Sequence, residues 1–393
     1  SDALDAADAA HASRAGSGRV VSALVRRRVA AIDDGMTRRP HPYAVRAATQ
    51  RAALGLPLLP TTTIGALPHT ADIRQARAAY RRHDIGEIEY LNRIRDHIRA
   101  CVEQQEALGL DVLVHGEAER EDMVAFFAEQ LWGFAISANG WVQRDGSHCV
   151  RPPILYGDVQ RPAPLTVDTA RFAQSLTDRP MKGMLTGPLT MLQWSFVRDD
   201  QPREHTALQL ALALRDEVTE LEDAGIRIIQ IDEPALCEGL PLKQRDHASH
   251  LAWVARAFGL CAAGVGDATQ IHTHLCHASV HDLLPAIAAL DADVMSFEAS
   301  HADPRLFDAL GVFPYPNGMG PGVCDLHAPQ PPTVEAMVTL LEHACRVIPL
   351  ERLWVNPDCG MRLRTRAEAD AALMGMLAAA RIVRQRYPRA IAA

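Results

Sequence analysis

Four side chains of the kinds that bind zinc stand at the downstream ends of segments that read as strands: His274 and Cys276 in TQIHTHLCH, Glu298 in DVMSFEAS, and Cys359 in LWVNPDCG. An imidazole, two thiolates and a carboxylate suit a zinc ion (Zn2+) that does chemistry rather than a purely structural one. A zinc held by two thiolates is an electron-rich Lewis acid that can take up a substrate thiol and keep it as a thiolate at neutral pH. The set therefore predicts a reaction at sulfur. His274 and Cys276 are two residues apart, so on an extended chain both face one side and can share an ion; His272 falls on that face too. Taken singly, such residues are ordinary, because a lone cysteine is more often a small buried hydrophobe. Cys101, Cys237, Cys261 and Cys345 are expected to be of that inert kind.

To bring the four together, the chain must place several strand ends side by side. Strand candidates are TTTIG (61–65), VLVHG (112–116), GMLTG (183–187), IRIIQID (226–232), QIHTHL (270–275), DVMSFE (293–298), GVFPYP (311–316) and LWVNP (353–357). Amphipathic stretches lie between them, clearest in EIEYLNRIRDHIRACVEQQEAL, HTALQLALALRDEVTELEDAG, TVEAMVTLLEHACRVI and AEADAALMGMLAAARIVRQRY. Alternation of this kind predicts an α/β fold, and eight strands are the closure number of a (β/α)8 TIM barrel. Barrel enzymes carry their chemistry where strands end, and polar residues gather there: His115 and Glu117, Asp232 and Glu233, His274 and Cys276, Glu298, Asp358 and Cys359. The Gly- and Pro-punctuated segment from Trp132 to Thr166 reads as a β-hairpin insertion near the active face. Residues 1–54 divide into a disordered lead-in, to about residue 18, and an N-terminal helical extension acting as a connector; 55–393 is the barrel. The GMGPG run, lacking a following Lys-Ser/Thr and interrupted by Pro321, reads as a strand-to-loop turn and not as a phosphate cradle.

Composition narrows the partners. A formal net charge of -8, with 48% hydrophobic and 22% charged residues, gives a large core and no global attraction for nucleic acid or anionic membrane. No apolar run approaches the ~20 residues a membrane span needs. Eight scattered cysteines and the lack of a signal pattern favour a reducing cytoplasm. A small-molecule substrate is the expected partner.

QIDEPAL, IHTHLC, WVNPDCG, TTTIG, HGEAER, KGMLTGP and GPGVCDLH closely resemble the C-terminal catalytic half of cobalamin-independent methionine synthase, and the likeness runs from about Pro42 to Tyr387. The resemblance implies zinc on His274, Cys276, Glu298 and Cys359. It also implies transfer of a methyl group from 5-methyltetrahydropteroyltriglutamate to the zinc-bound thiolate of homocysteine, giving methionine. The residues by themselves reach only a zinc-bound thiol acceptor in a barrel. By the same likeness His327 of DLHAP is the proton donor, with Asp325 as its orienting partner. A proton is needed because the N5-methyl of a folate leaves from an amine, a poor leaving group unless protonated. Asp232 and Glu117 are implied to hold the homocysteine ammonium, and the backbone at Ile64, Gly65 and Ala66 to meet its carboxylate. Trp194 in MLQWSF is implied to stack on the pterin, His148 and Cys149 in SHCVRPP to contact folate, and Arg151 to steer the glutamate tail.

The chain departs from the family at Ala66, His148, Gly318 and Ala328, where Ser, Arg, Glu and Ser are usual. Loss of the arginine removes a fixed charge and a planar fork, so weaker folate affinity is expected. The family enzyme also carries an N-terminal barrel that helps enclose the folate, which makes a separate chain of that kind a candidate partner. Two alternatives stand beside this reading: a short homologue using another donor such as a methylcorrinoid, and a catalytically inactive zinc-binding module.

Overall fold

The computed structural model describes residues 2–143, 149–276, 280–300, 305–328 and 330–387. Six segments pair side by side as one parallel sheet in chain order: Leu113–Val114, Met181–Thr186, Ile228–Asp232, Gln270–Leu275, Val294–Glu298 and Gly318–Gly322. Two more complete the ring through isolated bridges. Trp354 N–H donates to Met319 O at 2.8 Å, Thr62 N–H to Val355 O at 3.0 Å, and Val112 N–H to Thr61 O at 3.1 Å. Eight staves thus close an α/β barrel of the expected (β/α)8 kind. The helices expected between them are present, among them Glu87–Leu108, Arg203–Asp223, Val334–Val347 and Arg366–Arg386.

The seventh stave corrects the sequence reading. Helix Arg305–Val312 runs into the stretch 311–316 that had been expected as strand, and the stave is the fully buried GMGPG of Gly318–Gly322. Glycine and proline are poor strand residues, which hid it. Space explains their presence: a Cβ on Gly318 would lie 2.9 Å from Asp293 O, and one on Gly320 or Gly322 would overlap Asn356 Oδ1 or Asp358 Oδ1. Side chains of the eighth stave occupy the room that larger residues on the seventh would need.

A second correction concerns the N-terminus. Residues expected to fray form the helix Asp2–Gly16, which buries none of its side chains. Its alanine content favours the helix intrinsically, and Arg14 ties it to Asp199 at 2.9 Å and Asp200 at 3.2 Å. The connector that follows, with helices Ala23–Ala30 and Tyr43–Leu54, docks against the entry end of the barrel. Leu54 and Leu56 pack on a small cluster of Val112, Ile228, Val294 and Trp354. Beside them the buried Arg46 donates from Nε to Asp293 Oδ1 at 2.7 Å, and Arg39 Nη1 reaches Asp293 Oδ2 at 3.2 Å. The floor is therefore sealed by apolar contact and by charge, leaving the opposite mouth for chemistry.

The insertion is β-structure, as expected. Trp132–Ala135 pairs antiparallel with Ile154–Gln160, and a ribbon of Val142–Gln143 with Cys149–Val150 extends from them. Phe196–Val197 adds a parallel edge. Among the described residues no helix is long and apolar enough to cross a membrane.

Asp293→Ala would remove the carboxylate that Arg39 and Arg46 share, leaving Arg46 its pair with Asp291, and is expected to lower unfolding stability by about 1–3 kcal/mol in urea titrations. A loss below about 1 kcal/mol would mean that the connector does not depend on this ion-pair cluster.

Candidate metal centre and amino-acid pocket

His274 lies near the end of the fifth stave, buried, and its ring is oriented by a hydroxyl. Ser296 Oγ spends its one hydrogen on Thr273 O at 3.2 Å, so it must accept from His274 Nδ1–H at 3.1 Å. That fixes the tautomer and leaves a lone pair on Nε2, a buried atom with no hydrogen-bond partner. Donor atoms of His274, Cys276 and Cys359 lie within 4.8 Å of one another, and those of Glu298, His327 and Cys359 do so as well. Cys359 Sγ is 3.0 Å from Glu298 Oε1, so the two groups share one cluster. Asp358 draws them together: it accepts from Ala299 N–H at 3.2 Å and from the Ser300 hydroxyl, tying the loop after Glu298 to the residue before Cys359.

The electrostatics of the cluster call for a cation. Burial depresses the His274 imidazole, but the neighbouring Cys276, with the charges of Asp232 and Glu298, outweighs burial and raises it. The Cys359 thiol is pushed far upward, first by its hydrogen bond to Cys276, then by burial and the charge of Glu298. Groups that ligate as anions are crowded here with little water to stabilise them. A soft divalent ion such as zinc fits that donor set, and His274 Nε2 already presents a free lone pair.

The mouth beside the cluster is a cavity of about 150 Å3. Ile64, Gly65, Ala66, Glu117, Asp232 and Trp194 all border it, along with His274, Cys276 and Cys359. Gly65 is needed there: a Cβ would sit 2.6 Å from Met184 Cε and 3.0 Å from Glu117 Oε1. Glu117 itself holds a left-handed backbone, φ 58°, straight after Gly116 at φ 89°. A non-glycine residue in that conformation stores strain, and the consecutive left-handed pair turns the carboxylate in toward the pocket. Arg120, almost fully buried, locks the turn by donating to Glu117 Oε1 at 3.2 Å, Glu119 Oε1 at 2.9 Å and Met184 O at 2.9 Å.

Beneath the pocket runs a polar chain that the sequence reading missed. Lys182 Nζ, in the third stave, donates to Thr63 O at 2.6 Å and Gln230 Oε1 at 2.7 Å. Gln230 Nε2 passes the contact on to Ile64 O at 2.8 Å and Asp232 Oδ1 at 2.7 Å. Burial lowers Lys182 and raises Asp232, with their opposite charges opposing both shifts. The signal was legible: Gln230 is two residues before Asp232, and Ser296 two before Glu298, so each pair shares a face.

Other expected residues are placed differently. His327 is half exposed, with Nε2 3.9 Å from Glu298 Oε1, and packs where a Cβ on Gly360 would come within 2.9 Å of its ring. It thus borders the ligand cluster. Asp325 Oδ1 accepts the His327 backbone N–H at 2.6 Å, which positions the loop. Trp194 donates from its indole N–H to Glu238, a partner the sequence reading did not identify. Cys149 and Arg151 line a neighbouring cavity, not the central one; His148 lies outside the described residues. Of the strand-end acids, Glu233 caps the short helix Pro188–Gln193 through Leu189 and Thr190 N–H groups. His272 is a core residue, hydrogen-bonded to Gln270 at 2.8 Å and edge-on to Trp354.

Fold and site together define a parallel α/β barrel with a sulfur-rich, metal-suited mouth beside an acidic pocket. The family model described as "Cobalamin-independent synthase, Catalytic domain" matches residues 59–382, and the chain belongs to that family. It is 62% identical over 382 residues to a 5-methyltetrahydropteroyltriglutamate–homocysteine methyltransferase of Paraburkholderia xenovorans, covering 97% of this chain and 50% of the relative. A protein of the same name from Ralstonia pickettii is 57% identical over 387 residues, covering 98% and 50%. The chain therefore spans about half the length of the curated relatives it matches. In fold it resembles a B12-independent methionine synthase from Shewanella sp. W3-18-1, solved with selenomethionine: TM-score 0.70, 24% identity, covering 84% of this chain and 98% of that one. A putative vitamin-B12-independent methionine synthase of Listeria monocytogenes gives TM-score 0.66 at 18% identity, covering 81% and 96%.

Ser296→Ala should release the His274 ring without touching the ligand atoms. Zinc affinity, read by chelator competition, is expected to fall about 10–100-fold; an unchanged affinity would remove Ser296 from this role.

Proposed function

We propose that the chain is the catalytic barrel of a zinc-dependent methyltransferase that moves a methyl group from 5-methyltetrahydrofolate polyglutamate to homocysteine, giving methionine. In this reading 1–54 is the connector and 55–393 the catalytic barrel. One observation carries it: a sulfur-rich ligand set and a pair of carboxylates, Glu117 and Asp232, open onto the same small cavity. A thiol-bearing amino acid needs both. The names of the relatives, 57–62% identical, support the same reaction and substrates.

His274, Cys276, Glu298 and Cys359 would hold the zinc, which when bound supplies the Lewis acidity that keeps a substrate thiol deprotonated and nucleophilic. Asp232 and Glu117 bind the homocysteine ammonium, each carboxylate held at its angle by Gln230 or Arg120. The backbone at Ile64, Gly65 and Ala66 meets the substrate carboxylate, with Gly65 allowing close approach of the main chain. Trp194, half-buried and anchored by Glu238, offers an aromatic face to the pterin. Transfer leaves negative charge on the folate N5, and His327, exposed at the rim, holds the proton that this nitrogen takes up. Asp325 positions His327 through its backbone. Carriage in the cytoplasm and cover for the folate by a barrel of the family's N-terminal type belong to the same proposal.

Cys276→Ser and Cys359→Ser are each expected to cut bound zinc at least about tenfold and to abolish methionine formation. Full zinc occupancy in both variants would refute the ligand assignment. His327→Asn should keep the zinc while slowing methyl transfer about 100-fold. Because His327 borders the ligand cluster, metal content decides its role: loss of zinc in this variant would make it a ligand and not a proton donor.

A further inference from the structure

Lys182 is 1% exposed, and its Nζ donates to two neutral oxygens, Thr63 O and Gln230 Oε1. An ammonium kept from water on such terms destabilises a fold, and a methionine of similar length would fill the same space without that penalty. The strand register shows where the long side chain leads. Lys182 lies level with Val114 and Ile228 at the barrel floor, and Gln230 stands one level above Ile228, so the stem climbs a full level to meet it.

That contact sets the orientation of an amide. Nζ is a donor, so the Gln230 atom that faces it at 2.7 Å is the carbonyl Oε1, and the amide nitrogen is forced to the other side. There Nε2 donates to Ile64 O at 2.8 Å and to Asp232 Oδ1 at 2.7 Å. Turned over, Gln230 would set its N–H groups against the Lys182 donor and its lone pairs against two acceptors. The Asp232 carboxylate is therefore held by a donor that Lys182 selects.

The same two side chains hold consecutive carbonyls of the first stave, Thr63 O and Ile64 O. Consecutive carbonyls of a regular strand face opposite sides, whereas here both turn to the buried pair. Every peptide is trans, so the N–H groups of Ile64 and Gly65 point away from Lys182 and Gln230. Among the described residues neither N–H has an acceptor, and both residues border the central cavity. A carboxylate in that cavity has little else to meet. Among the described residues, Arg120 is the one guanidinium on its wall, and it is committed to Glu117, Glu119 and Met184 O. Arg74, Arg77, Arg81, Arg151 and Arg362 line a separate, electropositive cavity of about 310 Å3. A cation at the carbonyl end of an amide strengthens its N–H as a donor, so Lys182 acts on N–H groups that it does not touch.

We propose that Lys182 is a positioning residue for the amino-acid end of the substrate: through Gln230 it aims Asp232 at the ammonium, and through the carbonyls of Thr63 and Ile64 it presents backbone N–H groups to the carboxylate. This role rests on the reading of the central cavity as a site for a thiol-bearing amino acid.

Titration of the cobalt-loaded chain with homocysteine and with propanethiol, followed by thiolate-to-cobalt absorption, tests it, because propanethiol has the thiol without the amino-acid end. Lys182→Met is expected to weaken homocysteine binding about 10–100-fold and to leave propanethiol binding unchanged. Gln230→Glu keeps a partner for Lys182 but removes the amide donor, and should give the same selective loss; should Lys182→Met fail to fold, it decides alone. A residue that only held the barrel together would move both ligands alike. Equal weakening of the two ligands, or an unchanged homocysteine affinity in either variant, overturns the proposal. If the parent chain binds homocysteine no more tightly than propanethiol, the amino-acid reading of the cavity fails first, and the role of Lys182 falls with it.

Discussion

The crowding of Cys276, Cys359 and Glu298 around His274 is the constraint on which the rest of the barrel mouth depends. Groups that would carry negative charge are held within a few ångströms and away from water, where like charges repel strongly. Without a cation the cluster answers by keeping protons, as the rise of the Cys359 thiol shows. With one, the same crowding becomes attraction. Much of the surrounding structure works to keep the donors together: Ser296 sets the imidazole, Asp358 joins the loops behind Glu298 and Cys359, and Gly322 leaves room for Asp358. Gly322 is thus tied to the site, because a side chain there would displace the Asp358 carboxylate that joins the loops behind Glu298 and Cys359.

Along each inward-facing stave, a step of two residues rises one level through the barrel, and chemistry changes with height. Ile228 and Val294 belong to the apolar floor sealed by Leu54 and Leu56. One level up stand Gln230, His272 and Ser296, neutral groups of which Gln230 and Ser296 hydrogen-bond upward to Asp232 and His274, and His272 downward to Gln270. At the top stand Asp232, His274 and Glu298, which meet the cavity or the ligand cluster. Period-two geometry makes this layering possible, since a residue and the one two beyond it share a face. Lys182 supplies the positive charge at middle height that the acids above would otherwise lack. A buried lysine is expensive, and here its cost is offset by two hydrogen bonds and by the pull of Asp232.

This layering also explains what the sequence disclosed. The residues of the cluster were legible because strand ends are where apolar runs stop, and a His-x-Cys at such an end has few structural uses. Helices such as Glu87–Leu108 were legible from periodicity and a closing glycine. The seventh stave was not, because its residues were chosen by their neighbours' volume and carry no strand signal of their own. Asp2–Gly16 was misread for the converse reason: its low apolar content argued against packing, whereas alanine propensity and the tie of Arg14 to Asp199 and Asp200 hold a helix that buries no side chain. The split between two cavities was invisible too, since Arg74, Arg81 and Arg362 are separated in sequence and look like ordinary solvated charges.

One loop faces both cavities. In the run from His115 to Asp122, Glu117 turns into the acidic pocket and Glu121 into the arginine cavity, while Arg120 between them is clamped to Glu117, Glu119 and Met184 O. His115 adds a contact to Glu119 at 3.0 Å, so the loop's centre is a closed network of charge with little freedom to move. The backbone strain at Glu117 is sustained by that network and not by local preference. A rigid centre means that the spacing between the Glu117 carboxylate and the electropositive wall is set by covalent chain and buried ion pairs, not by flexible surface groups. Both walls would then be set before any ligand enters, which is the condition under which binding energy goes into orientation and is not lost in ordering the protein.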